Sequence, residues 1–187
     1  MGGAKSSEAR SLDKLADGTL ALGPFALAAP ADWSAKPVTS SMRAADFVIP
    51  GKDGEAELIV YYFGNQGAGS VEDNLNRWLG QLEQSDGKPT KDVAKVEKTK
   101  FGGQDATYVS ATGHFKAAAM APGSKDQDIA SATLLAAIVE SPSGPYYFKL
   151  VGPSSTVDAQ AKAFRGMLEA LKVRGGAAGS AAAAGGW

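Results

Sequence analysis

One glycine-rich segment has the residue types and the spacing to bind an anion. Gly64, Gly67 and Gly69 allow the backbone to approach a ligand closely, and Ser70 then opens a predicted helix. Free N–H groups at a helix N-terminus favour anions. A purely structural interpretation stays open, in which the glycines make a tight turn and Ser70 only caps the helix.

This segment departs from nucleotide-binding motifs at the decisive position. Gly64 and Gly69 have the spacing of the two P-loop glycines, but Ser70 stands where that motif requires lysine. Without the lysine, the β- and γ-phosphates lack their counter-charge. The dinucleotide motif GxGxxG does not match either. The sequence therefore argues against nucleotide hydrolysis.

The predicted binding surface combines this loop with polar residues of the following helix and with one tryptophan. Trp33 follows a Pro-Ala-Asp turn and is expected either to close the sheet edge or to be exposed for binding. The predicted ligand- or partner-binding residues are Gly64, Asn65, Gln66, Gly67, Gly69, Ser70, Asn74, Arg77 and Trp33.

His114 is the only histidine in the chain, so it is the only candidate histidine base. An enzyme that acts on a small anionic substrate at the Gly64–Ser70 loop would need His114 within about 7 Å of that loop. There is no Gly-x-Ser-x-Gly nucleophile motif. We predict no catalytic residue, and keep this enzyme as an alternative.

Composition excludes several classes of site. The 19 Lys and Arg residues balance 20 Asp and Glu residues, which argues against nucleic-acid binding. Without cysteine there are no disulfides, thiolate nucleophiles, iron–sulfur clusters or cysteine zinc sites. Asp126 and Asp128 are spaced like the start of a calcium loop, but its glycine and closing glutamate are missing. We expect no metal site and no cofactor.

Both ends of the sequence read as tails, namely residues 1–17 and 174–187. The N-terminus fits a loose myristoylation pattern at Gly2, and its polar tether also resembles the segment behind the lipid anchor of a mature bacterial lipoprotein. The second reading implies a lipid anchor upstream of this chain. No apolar run is long enough to form a transmembrane segment. Trp187 ends the C-terminal tail, which allows a further alternative, docking to a partner through that tail.

Between the tails, residues 18–173 predict a single α/β domain. Apolar residues at helical spacing predict helices at about 71–84 and 156–172, and Ser155 with Asp158 predicts the cap of the second. Residues 58–63 and 132–139 are nearly continuously apolar, as in strands covered on both faces. Short turns indicate a largely antiparallel sheet. We predict a three-layer α/β/α sandwich of about six or seven strands, with a helix on each face.

Two segments resemble the PsbP-like fold family. They are Tyr61–Asn74, which reads YYFGNQGAGSVEDN, and Gly144–Pro153, which reads GPYYFKLVGP. With the order of elements, they look like uncharacterised bacterial members of this fold, many of them lipoproteins. The resemblance implies a fold over about residues 18–173, and a binding or accessory role.

We therefore predict a non-catalytic binding or accessory domain of the bacterial cell envelope. A cell-envelope or secreted location is favoured over the cytoplasm. Its partner is expected to be a protein or a small anionic ligand.

Overall fold

The computed structural model describes residues 10–39, 41–65, 67, 69–117 and 127–174. Within these ranges the chain forms eleven strands, two α-helices and one 3-10 turn. The strands are β1 Leu20–Leu22, β2 Phe25–Leu27, β3 Ser34–Lys36, β4 Arg43–Ile49, β5 Ala56–Tyr62, β6 Leu82–Glu83, β7 Lys95–Phe101, β8 Gln104–Ala117, β9 Gln127–Val139, β10 Tyr146–Pro153 and β11 Lys172–Val173. The helices are α1 Val71–Leu79 and α2 Ser154–Glu169, and the turn is Thr90–Asp92.

The strands form two antiparallel sheets. The larger has the order β3-β4-β5-β10-β9-β8-β6, and β7 also pairs with β8. The smaller has the order β1-β2-β11. The expected antiparallel pairing is confirmed, but eight strands exceed the predicted six or seven, because the short edge strands β3 and β6 carry almost no sequence signal.

Alternate residues of β9 belong to two separate apolar cores. Leu135, Ala137 and Val139 pack in a cluster that includes Phe164 and Leu168 of α2. The intervening residues Leu134, Ala136 and Ile138 pack in a second cluster, which includes Leu75, Trp78 and Leu79 of α1. This explains why the strand is apolar at every position.

Helix α1 ends earlier than the predicted residue 84. Gly80 caps it by donating its backbone N–H to Asn76 O at 2.9 Å, and Gln81 N–H donates to Trp78 O at 3.1 Å. Leu82 then pairs with Phe115 as part of β6. Leu82, the last apolar residue at helical spacing in the predicted helix, is thus a buried strand residue. It packs in the same apolar cluster as α1.

The predicted cap of α2 is also wrong. The N-cap is Pro153, with no side-chain capping bond. Ser155 Oγ instead donates to Asp53 Oδ2 at 2.5 Å. Asp158 accepts from Thr133 Oγ1 at 3.0 Å, which ties the helix to β9.

The N-terminal segment joins the fold from residue 10, within the predicted tail. Arg10 and Val38 form an antiparallel bridge, and Lys14 bridges to Leu20. Leu12 packs against the apolar cluster that contains Phe164 and Leu168 of α2, which we call the α2-side core. Residues 1–9 and 175–187, and with them the predicted docking residue Trp187, lie outside the described residues.

Candidate functional site

The Gly64–Ser70 loop is held against the turn that precedes β10. Gly67, at φ +71°, lies so close to this turn that an added Cβ would come within 2.8 Å of Pro145 Cγ, and within 2.5 Å of Tyr147 Oη on β10. Gly67 N–H donates to Gly64 O at 3.1 Å. The close contacts explain Gly67, and positive φ angles of +94° and +95° explain Gly64 and Gly69. Gln66 lies outside the described residues.

Ser70 caps α1, as predicted. Its Oγ accepts from Asp73 N–H at 3.0 Å, and its carbonyl accepts from Asn74 Nδ2 at 2.9 Å. Arg77 donates to Asn74 Oδ1. Ser70, Asn74 and Arg77 thus lie together. Asn74 is fully buried and links the loop to the helix.

Trp33 does not lie near this loop. It is 6% exposed and belongs to the α2-side core, where its ring meets Phe47 edge to face. Its indole N–H donates to Gln160 Oε1 of α2 at 3.0 Å. The expectation that Trp33 adjoins Asn74 and Arg77 is therefore wrong, because those residues lie on α1, which packs in the other core.

His114 lies at the far end of the sheet from the loop. The loop adjoins the β10 end where Tyr146 pairs with Val139, whereas Gly113, next to His114, pairs with Ala132. Seven residues of β9 separate those positions, which is roughly 24 Å of strand. His114 cannot act as a base at the loop, so the structure contradicts the enzyme alternative in that form.

His114 nonetheless has a carboxylate partner, which the sequence did not predict because it lies 14 positions away. Its Nε2 contacts Asp128 Oδ1 across the β8–β9 hairpin, and this holds the pKa of Asp128 below its ordinary value. The Asp128 side chain is 66% exposed. Among the described residues, no group of three or more His, Asp or Glu side chains is arranged to hold a metal ion.

The structure brings together a polar surface that the sequence analysis missed. Cross-strand pairing aligns Glu57, Ile59 and Tyr61 of β5 with residues of β4 on one side and of β10 on the other. Helix α1 lies over the β8–β10 side of this surface. We call the part of this surface that α1 leaves uncovered the open face. Its residues are Arg43, Asp46, Val48, Glu57, Ile59, Tyr61, Lys149 and Val151, and all except Asp46 are half-buried.

Two carboxyl groups share this face. Asp46 is 6% exposed, and its Oδ2 pairs with Arg43 at 3.0 Å. Burial, with a hydrogen bond to Asp46, raises the pKa of Glu57 to about 7. No other described donor reaches the buried Asp46 Oδ1. A proton on Glu57 would supply that donor, so near neutral pH the pair can hold or release one proton.

Lys149 places a cation beside this pair. Its Nζ donates to Gln81 Oε1 at 2.5 Å, and lies 6.0 Å from the Trp78 ring centre and 5.6 Å from that of Phe115. Burial, reinforced by the nearby charges of Arg77 and Arg43, lowers the pKa of Lys149 to about 8. A desolvated lysine beside aromatic rings can bind an anion, or take up and release a proton.

These two shifts predict a stability minimum near pH 7 to 8. The native state binds Glu57's proton more tightly than the unfolded chain does, so stability falls as the pH rises from about 4.5 through 7. It binds Lys149's proton less tightly, so stability rises again between about 8 and 10.5. We expect urea unfolding to show a dip of about 1 to 2 kcal/mol, after allowance for solvent screening. Glu57→Gln should flatten the acid side and Lys149→Met the alkaline side, and a curve unchanged by both variants would contradict this.

Both residues had a signal in the sequence. Glu57 and Lys149 each interrupt an apolar strand, in AELIVYY and YYFKLV. A charged residue at such a position is expected to be desolvated and therefore to have a shifted pKa. The sequence could not show that the two residues lie on the same face.

Comparisons with known proteins give a likeness of fold. No family model matches the sequence, and no curated protein matches it. Similar solved structures include LpqN of Mycobacterium tuberculosis, described as involved in cell envelope biogenesis, with a TM-score of 0.52 and 12% identity over 79% of this chain and 82% of LpqN. They also include the PsbP protein of Synechocystis sp. PCC 6803, with a TM-score of 0.47 and 15% identity over 92% of this chain and 96% of that one.

Proposed function

We propose that this chain is a non-catalytic binding domain and that the open face is its binding surface. One observation carries the proposal: three ionisable side chains, Asp46, Glu57 and Lys149, are held partly desolvated on one strand surface, beside Val48, Ile59 and Val151. Apolar residues there would usually stabilise the fold as well or better. Shifted pKa values and desolvated charges at an accessible surface are typical of functional sites.

The predicted loop borders this surface. Tyr61 ends the face on the loop side, and its ring stacks on Phe63 at 5.9 Å, immediately before Gly64. Arg77 lies near enough for its charge to affect the pKa values of both Tyr61 and Lys149. The loop and the first turns of α1 therefore form one rim of the proposed site.

We place the domain in the cell envelope or another extracytoplasmic location. The support is the shared fold with LpqN, whose description refers to cell envelope biogenesis. In the described part of the chain, no helix is long and apolar enough to cross a membrane. An anchor on a segment upstream of this chain, as in lipoproteins, would hold the domain at the membrane.

We also propose the three-layer α/β/α arrangement expected from the sequence. Its support is the division of the core into one cluster with α1 and another with α2. In this arrangement α1 covers only part of the sheet face on which it packs, because its nine residues span only about 14 Å. The open face is that uncovered part.

The absence of cysteine allows a direct test by site-specific labelling. Val48→Cys introduces one thiol on the open face, because Val48 pairs directly with Glu57. Val96→Cys introduces a matched thiol on β7, where Val96 is 52% exposed. An envelope extract of the host should slow the reaction of the first thiol with a maleimide several-fold and leave the second unchanged. Equal effects on both thiols, or no effect on either, would refute the assignment of the surface.

A further inference from the structure

Three side-chain cations converge on the open face. Arg43 on β4 pairs across the sheet with Tyr61, and Lys149 on β10 pairs with Ile59, two residues away on the same face of β5. Arg77 lies on α1 next to Trp78, whose ring centre is 6.0 Å from Lys149 Nζ. The cations thus come from three different elements, and Arg77 and Arg43 both lie near enough to Lys149 for their charges to act on it.

Positive charge exceeds negative charge at this patch. Arg43 is paired with Asp46, whereas Lys149 and Arg77 donate hydrogen bonds to the neutral amides of Gln81 and Asn74. Among the described residues, neither Lys149 nor Arg77 forms an ion pair. An ammonium has three donors, and Gln81 uses one of those on Lys149. The patch is therefore complementary to an oxyanion with several acceptor oxygens.

We propose that the open face binds the phosphate group of a small soluble organic phosphate, held by Lys149 and Arg77 with Arg43 beside them. This inference rests on the proposed function, since it assigns a ligand class to the same surface. While Glu57 is protonated, the three cations exceed the single charge of Asp46 by two. This excess suits a phosphate, which carries between one and two negative charges, better than a single carboxylate.

The shape of the site favours a small soluble ligand over a membrane surface. Beside Lys149 lies a cavity of about 90 Å³, with the apolar residues Ile59, Phe115 and Val151 and the carboxyl groups of Glu55 and Glu57 in its wall. This volume accepts a small group. Lys149 Nζ lies between the rings of Trp78 and Phe115, which is a narrower setting than the exposed lysines that contact a flat bilayer surface.

Glu57 makes the proposed binding depend on pH. The groups that act on its charge are Asp46, Arg43 and Lys36 on the neighbouring strands, and Lys149 on β10. When Glu57 ionises, it adds a negative charge beside the bound anion. Affinity for an anion should then fall as the pH rises through the range in which Glu57 titrates.

The test is an NMR titration of the full chain with glycerol phosphate, observing the amides of Ile59, Tyr61 and Val151. We expect saturable shifts confined to the open face. Lys149→Met should weaken binding about tenfold, and Arg77→Gln should weaken it in the same direction. The matched control Lys162→Met removes an exposed lysine of α2, which packs on the other core, and should change affinity less than twofold.

A second arm tests the linkage to pH with dimethyl phosphate, a diester whose single charge is constant between pH 6 and 8.5. Its affinity should fall about two- to fivefold over that range. Glu57→Gln should remove the part of this fall below about pH 7.5. A fall that persists unchanged in Glu57→Gln would refute the role of Glu57.

Two outcomes overturn the ligand class. One is non-saturable shifts spread over the whole surface, and the other is binding to vesicles that contain phosphatidic acid without binding to glycerol phosphate. If glycerol phosphate does not bind while the extract still protects the Val48→Cys thiol, the phosphate inference fails and the proposed function stands. If neither effect is seen, both fail.

Discussion

Replacing Trp78 by alanine is expected to lower the free energy of unfolding by about 3 to 5 kcal/mol. Trp78 is 5% exposed at the centre of the contact between α1 and the sheet. Its ring meets that of Tyr147 edge to face at 6.1 Å, and it flanks the Lys149 ammonium. The substitution removes a large buried surface and leaves a cavity that a nine-residue helix can only partly fill.

Chemical unfolding of Trp78→Ala and Asn76→Ala measures this effect against a matched site. Asn76 is exposed on the same helix, so its replacement should change stability by no more than about 0.5 kcal/mol. Trp78→Ala should also hydrate Lys149 and move its pKa up towards 10.5. A loss below about 1 kcal/mol would mean that α1 does not contribute a packed core on this face.

Replacing Gly144 by alanine is expected to destabilise the fold by about 2 to 4 kcal/mol. Gly144 has φ +107°, a conformation that other residues rarely adopt. An added Cβ would come within 2.5 Å of Asn65 Cα and 2.7 Å of Gly64 O. Both obstacles are backbone atoms, so no side-chain rotation relieves the clash.

Gly103→Ala separates the clash from the strain. Gly103 has φ +79°, and an added Cβ there has no neighbour within 4 Å, so only the backbone strain remains. Thermal or urea unfolding should show Gly144→Ala to be at least about 1 kcal/mol less stable than Gly103→Ala. Equal losses would show that the 64–70 loop can move away from the 141–145 turn, which would weaken the case for a fixed rim at the open face.

Trp33 and His114 show why distance along the chain misleads in this fold. Trp33 precedes β3, at one edge of the larger sheet, yet its indole binds Gln160, 127 positions later on α2. His114 contacts Asp128 because β8 and β9 pair along their length. The same pairing places His114 far from the 64–70 loop. Antiparallel register places partners far apart in sequence next to each other, and a single sequence does not state that register.

The sequence by itself determined the elements that depend on local patterns. Apolar runs predicted β5 and β9, Ser70 predicted the start of α1, and the Gly64–Gly69 spacing predicted a tight connection between strand and helix. These features follow from interactions over a few residues, such as a side-chain cap or the burial of both faces of a strand. The end of α1 was predicted wrongly, because Leu82 fits both the apolar spacing of a helix and a buried position in a strand.

Only the tertiary structure decided which charged residues lie together. Glu57 and Lys149 are 92 positions apart in the sequence, on strands β5 and β10, which are adjacent in the sheet. A shift of one residue in their register would move one of them to the opposite face, into the α2-side core. The strand order, the register and the short reach of α1 together place both side chains on the open face. Their pKa shifts follow from that placement, because burial and neighbouring charge are properties of position and not of residue type.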